Sequence, residues 1–404
     1  MRRLCCVALL LVLAVPAAVS ARTWLVNSGG TGDAPTIQAG IDSAAAPDTV
    51  LLADGTFSGP GNRDIDFSGK AITVMSESGI ASQCIVNCGG TSEENHRGFL
   101  FESGETQGSH LYNLTITGAY YSSGAAVACY YTSPSLTNCY FTANTATTAG
   151  GGIDMVNSAA TITCCFFTAN SATAGGGAIY MEMSTPTISG CSFSANTCGY
   201  SGGGVYCHGE TPNISFCMFL GNLAVRGGGM YLDGSCTASI TNCTFWKNRA
   251  TQAGGGMECF GASPTITDCA FAADSSGFGG GAIHLGSSDG PGLSNTLIAF
   301  SRTGSAIHCD PPGGSIGLMC CNIYGNEGGD WTGCLAVHAG INGNFSADPL
   351  FCDMPTGDLS VETCSPCLAG NNTCGVDIGA RMSGCSCGEA TEPATWGRIK
   401  AMYR

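Results

Sequence analysis

From residue 124 onward, apolar side chains come in short alternating runs such as TIT, CFF and AIYM, broken by small or polar corners. Alternation with period two marks strands, and the runs are too short and too rich in β-branched residues for helices. Aligning the runs exposes a longer period. Cys139, Cys165, Cys191, Cys217, Cys243 and Cys269 stand 26 residues apart, and Cys321 falls two periods further on. Two residues after the first six comes a phenylalanine (Phe141, Phe167, Phe193, Phe219, Phe245, Phe271), and three before them an aliphatic residue, Leu136 to Ile266. Five after come Asn144, Asn170, Asn196, Asn222 and Asn248, then Asp274, and Asn326 after Cys321. Glycine triplets begin at Gly150, Gly175, Gly202, Gly227, Gly254 and Gly279.

A fixed period of this size means one supersecondary unit stacked on its neighbours. Three short strands and three corners per unit predict an all-β chain, a right-handed parallel β-helix with about 26 residues per coil. Parity agrees. Ile162 and Cys165 can both face inward only if a corner lies between them, because side chains alternate along a strand. The asparagines predict a hydrogen-bonded ladder at the next corner, in a conformation that Asn tolerates. The glycines predict a corner with positive φ or no room for a Cβ. A phosphate-cradling loop is excluded, since no strand–loop–helix context or following lysine exists. Residues 45 to 350 leave room for about twelve coils. One coil, near Leu293 and Asn295, has lost its cysteine. The helix spans 22–333 and carries an N-terminal cap. That cap is a short helix in DAPTIQAGIDSA, with Pro35 in its first turn and Ile37, Ile41 and Ala44 on one face.

Composition changes the picture at the two ends. Residues 1–21 read as a signal peptide: Arg2 and Arg3, an apolar run from Leu4 to Val15, and AVSA. This predicts a secreted or cell-surface protein without a transmembrane segment in the mature chain. Removing the two arginines takes the formal charge from −15 to −17, which argues against nucleic acid as a partner. The mature chain keeps 24 of 26 cysteines. The repeat cysteines read as buried thiols, since parallel side chains on adjacent coils meet poorly for bonding. Cys352, Cys364, Cys367, Cys374, Cys385 and Cys387 form a cysteine-dense cap over 334–387, read as disulfides in preference to a zinc site. No metal or cofactor is expected. The tail 388–404, ATWGRIKAMYR at its end, is the only locally basic segment.

The alternation of FTAN, FSAN, FLGN and FWKN with GGGI, GGGAI and GGGV, over about 124–330, resembles the repeats of the chlamydial polymorphic outer membrane proteins. TIQAGIDSAAAPDTVLLADGTF, SADPLFC and DIGA are similar to the caps of secreted bacterial β-helices of the pectate-lyase-like superfamily. The first resemblance implies adhesion or surface display; the second implies polysaccharide cleavage in some members. The chlamydial proteins end in a membrane barrel, for which this chain is too short.

Chemistry is sought on the strand after each glycine triplet. With Ile153, Ile179, Val205, Met230, Met257 and Ile283 inward, the next position points out: Asp154, Tyr180, Tyr206, Tyr231, Glu258, His284, then His308. A second outward column reads Val156, Glu182, His208, Asp233, Phe260. Rings beside carboxylates suit a carbohydrate: flat faces for stacking, acceptors for hydroxyls. Tyr180, Tyr206, Tyr231, Asp154, Glu258 and His284 are therefore the candidate ligand-binding residues, for a polysaccharide or cell-surface ligand. Glu182, His208 and Asp233 are the catalytic candidates, the two acids being spaced for an inverting pair. Cleavage of an acidic sugar also needs a cation. Arg226, Lys247, Arg249 and Arg302, the only lysines and arginines between Gly124 and Asn326, are expected off this face. The outward columns also suit a merely solvated sheet. The sequence thus reads as a noncatalytic, adhesin-like or structural surface protein, with a polysaccharide hydrolase or lyase as the alternative.

Overall fold

The computed structural model describes residues 20–286, 290–310, 316–380 and 383–387. Nearly all of the expected signal peptide, and the tail from 388, lie outside the described residues. Three long sheets of 12, 11 and 16 strands run along the molecule. Pairing between coils is parallel and in register. Ile162 sits on Leu136 and under Ile188, and Phe167 between Phe141 and Phe193. Among the described residues no helix is long and apolar enough to cross a membrane.

One coil shows the construction. Thr161–Thr163 lies in the first sheet and Phe166–Thr168 in the second, with Cys164 between them at φ 54°. That left-handed residue absorbs the odd count and sends both Ile162 and Cys165 into the core. The third side differs from the expected single strand. Ser171–Ala172 and Ile179–Glu182 form two arms of one sheet, folded along the glycine line.

The asparagine ladder forms, with one difference. The left-handed residue is the one before each asparagine, Ala143, Ala169 or Ala195, so the amide itself turns inward and is buried. Asn170 Nδ2 donates to Phe141 O at 2.8 Å and to Asn196 Oδ1 at 3.1 Å, while its backbone N–H donates to the same Oδ1 at 3.0 Å. Asn144, Asn196, Asn222 and Asn248 repeat this pattern. Asp274 closes the run, its Oδ1 accepting from Asn248 N and Nδ2.

Beside the ladder, Phe141 to Phe271 stack at 4.4–4.9 Å between centroids, all fully buried. The repeat cysteines are buried free thiols that pack as small hydrophobes; burial pushes Cys321 up to about 11. In the coil that lacks the cysteine, buried Thr296 takes its place. At the N-terminus Ile37–Ser43 is helical, buries Ile37 and Ile41, and is capped by Thr36. Pro35 precedes that cap instead of entering the first turn, because the Thr36 hydroxyl accepts the Ala39 N–H there. At the other end a cap containing a three-stranded sheet packs Met354, Leu359 and Ile378 on Ala270, Ala272 and Leu297, the outer face of the second sheet. Disulfides Cys309–Cys334, Cys320–Cys374, Cys352–Cys385 and Cys364–Cys387 hold this end. Cys367 stays free and buried.

Two outcomes are expected. Asn196→Ala leaves Phe167 O and Asn170 N–H without their ladder partners, a loss of about 2–6 kcal/mol at about 1–3 per orphaned group; denaturant melts measure it against wild type. Alkylation of the unfolded, unreduced chain is expected to label the sixteen free cysteines of the described residues, and to reach the eight paired ones only after reduction.

Candidate binding groove

The glycine corner makes the site. Gly150 and Gly176 begin the turn at φ 65° and 61°, so in the second coil the left-handed position is Gly176, one residue beyond the first glycine of the triplet. The next position has no space: a Cβ on Gly151 would lie 2.4 Å from Ser171 O and 2.5 Å from Gly177 O. Such a tight corner bends the sheet inward, and the two arms become the walls of a groove along the axis. A Cβ on Gly175, in one arm, would touch the Tyr180 ring of the other at 3.0 Å.

Both outward columns form in the expected register. Asp154, Tyr180, Tyr206, Tyr231, Glu258, His284 and His308 lie one above another, as do Val156, Glu182, His208, Asp233 and Phe260. The first column is not solvated, however. Asp154, Tyr231, Glu258 and His284 are buried and Tyr180 and Tyr206 half-buried, because the concave corner folds the opposite arm over them.

The tyrosines stack on each other, Tyr180 on Tyr206 at 4.9 Å and Tyr206 on Tyr231 at 5.3 Å. Stacking covers both faces of Tyr206 and one face each of Tyr180 and Tyr231, so the expectation of free faces for sugar stacking fails at Tyr206. What the three rings offer besides is edges and hydroxyls. Tyr180 Oη donates to Glu182 Oε2 at 3.3 Å and Tyr206 Oη to Asp233 Oδ2 at 2.9 Å. His208 Nδ1 lies 2.7 Å from Asp233 Oδ1. One coil earlier Tyr130, which the sequence reading missed, donates to Asp154 Oδ2 at 3.0 Å. An exposed ring, Tyr200, stands on the opposite arm, 56% accessible. With Tyr180, Tyr206, Tyr231, Ser201 and Asp233 it lines a depression of about 280 Å³.

One basic residue does reach the groove, contrary to expectation. Arg226 ends the strand Leu223–Arg226 just before the Gly227 corner, and the bend carries its guanidinium across to pair with Glu258 of the next coil through two contacts. It also lies over the Tyr231 and Phe260 rings. No column rule could find it, since its partner is on the other arm.

Burial pushes the Asp154 carboxyl up to about 6, against the lowering from the Tyr130 hydroxyl and Arg97. Burial also pushes Glu258 up to about 7 in spite of the Arg226 contacts. Both acids therefore hold a proton when folded at pH values where the unfolded chain has lost it, and stability falls as pH rises. The window runs from 3.8 to about 6 for Asp154 and from 4.5 to about 7 for Glu258. Asp154→Asn is expected to remove the first slope and to gain on the order of 2–3 kcal/mol over wild type at pH 8, at about 1.4 per pH unit; denaturation midpoints from pH 4 to 8 test it.

Residues 99–271 match the family model described as the right handed beta helix region. Among solved structures, the chain is similar to the pectate lyase Pel9A, with a TM-score of 0.55 and 12% identity over 91% of this chain and 98% of that one. A rhamnogalacturonan lyase aligns at a TM-score of 0.34 and 14% identity, over 76% and 82%. No curated protein matches the chain. The fold is a pectate-lyase-like right-handed parallel β-helix.

Proposed function

We propose that the chain is an exported, noncatalytic surface protein whose groove binds an extended neutral or amino-bearing polysaccharide. One observation carries this reading: tyrosine hydroxyls are paired with carboxylates at Tyr180–Glu182 and Tyr206–Asp233, with Tyr180 and Tyr206 on adjacent coils. These two pairs offer acceptors and donors on neighbouring coils to a ligand that itself repeats, and Tyr200 supplies an open aromatic face beside them. Charge sets the ligand class. Glu182 and Asp233 face the groove, and Arg226 is already matched by the buried Glu258. A polyuronate would meet more negative charge than positive, whereas hydroxyls and ammonium groups would be accepted. The chain has the fold of the pectate lyase Pel9A, and at 12% identity that likeness carries no activity with it.

The raised carboxyl of Asp154 favours a second reading, a glycoside hydrolase with this group as general acid. Against it, Asp154 is 5% exposed and covered by Tyr130, so a glycosidic oxygen has no path to it.

Affinity electrophoresis of the mature protein against neutral, amino-bearing and acidic polysaccharides is the test. Binding to a neutral or amino-bearing chain is expected, weakened about tenfold by Tyr200→Ala or Asp233→Asn, one aromatic or charged contact each. Reducing ends and unsaturated products, assayed in parallel, are expected to stay at background. Failure to bind either class overturns the proposal. So does release of products that Asp154→Asn or Glu182→Ala abolishes, which establishes a hydrolase where the new ends are saturated and a lyase where they are unsaturated.

A further inference from the structure

The floor of the groove ends in two histidines. His284, on the strand Ser275–Leu285, and His308, on Thr303–Cys309, are register partners with rings stacked 5.3 Å apart and 9° from parallel. The Asp310 backbone N–H donates to Leu285 O at 2.8 Å, which sets its carboxylate across both rings. His284 Nε2 lies 3.3 Å from Asp310 Oδ2, and His308 Nε2 lies 3.5 Å from Oδ1.

These separations are informative beside the molecule's other histidine–carboxylate pairs. His96–Asp64 and His208–Asp233 close to 2.7 Å each, as direct hydrogen bonds do. The Asp310 contacts are long for that interaction. They fit the edges of a coordination polyhedron instead, since metal bonds of about 2.0–2.1 Å at the tetrahedral angle hold ligand atoms about 3.3 Å apart. One ligand atom from each of the three residues lies within 4.8 Å of the others. The cluster has a buried side and an open one. His284 is 6% exposed, while His308 borders a cavity of about 410 Å³ lined also by Gly279, Gly304, Ser305 and the Cys309–Cys334 disulfide.

We propose that His284, His308 and Asp310 bind a divalent cation of the zinc type, with the cavity side left for water or a ligand oxygen. Two imidazoles and one carboxylate suit zinc and not calcium, which takes oxygen donors. The site does not depend on the polysaccharide reading, because none of its ligands belongs to the tyrosine–carboxylate pairs.

The mature protein, stripped with chelator and exchanged into buffer, is titrated with Zn²⁺ by calorimetry and with Co²⁺ by visible absorption. One-to-one binding is expected, with the d–d bands of low-coordinate cobalt and no thiolate charge-transfer band in the near ultraviolet. His308→Ala and Asp310→Asn alter half-exposed side chains, so their folding is checked by circular dichroism; each is expected to weaken Zn²⁺ binding at least ~100-fold, as loss of a direct ligand must exceed loss of a supporting one. His208→Ala, in the groove but outside the cluster, is expected to bind as wild type does. Absence of binding, a thiolate band, or undiminished affinity in both cluster variants overturns the proposal.

Discussion

The amide of a buried asparagine does more for this molecule than any larger side chain. In each coil its Nδ2 satisfies a carbonyl of the coil before and reaches the Oδ1 of the coil after, and that Oδ1 also takes the backbone N–H beside it. The alternative is orphaned backbone at every turn of a buried corner, which no domain could tolerate six times over. With the ladder made, coils must lie in register. The phenylalanine stack, the aliphatic columns and the thiols then superpose without further instruction.

The groove follows from the same register acting at a second corner. Glycine is required there because neighbouring carbonyls occupy the space of a Cβ, and the resulting bend is concave. Side chains that alternation sends outward therefore meet the opposite arm, not solvent. Burial of Asp154 and Glu258, the displacement of their protons to higher pH, and the crossing of Arg226 to Glu258 all come from that geometry.

Most of the architecture was legible because a β-helix is written in columns. Cys165, Phe167 and Asn170 announce one coil, and their copies 26 residues on announce the next. The register of Tyr180, Tyr206 and Tyr231 followed from parity alone. What was hidden depends on the angle between two arms, a quantity no column carries. Exposure of Tyr200, burial of Glu258 and the reach of Arg226 all turn on it. The cluster at His284 and His308 was visible as a column but not as a site, because Asp310 lies beyond the strand and joins only through the backbone contact to Leu285.

Because Asn170, Asn196 and Asn222 each give and receive in the same manner, any one of these coils is interchangeable with its neighbour. A whole coil could be duplicated between two others and the seam would heal, whereas a shorter insertion would break every column at once. The length of the groove is thus a modular quantity, open to change in single steps by tandem duplication within the gene. Asp274 sets the limit of that freedom. It accepts from Asn248 but has no amide to pass on, so the run of equivalent modules stops there, and His284 and His308 follow just past its terminus.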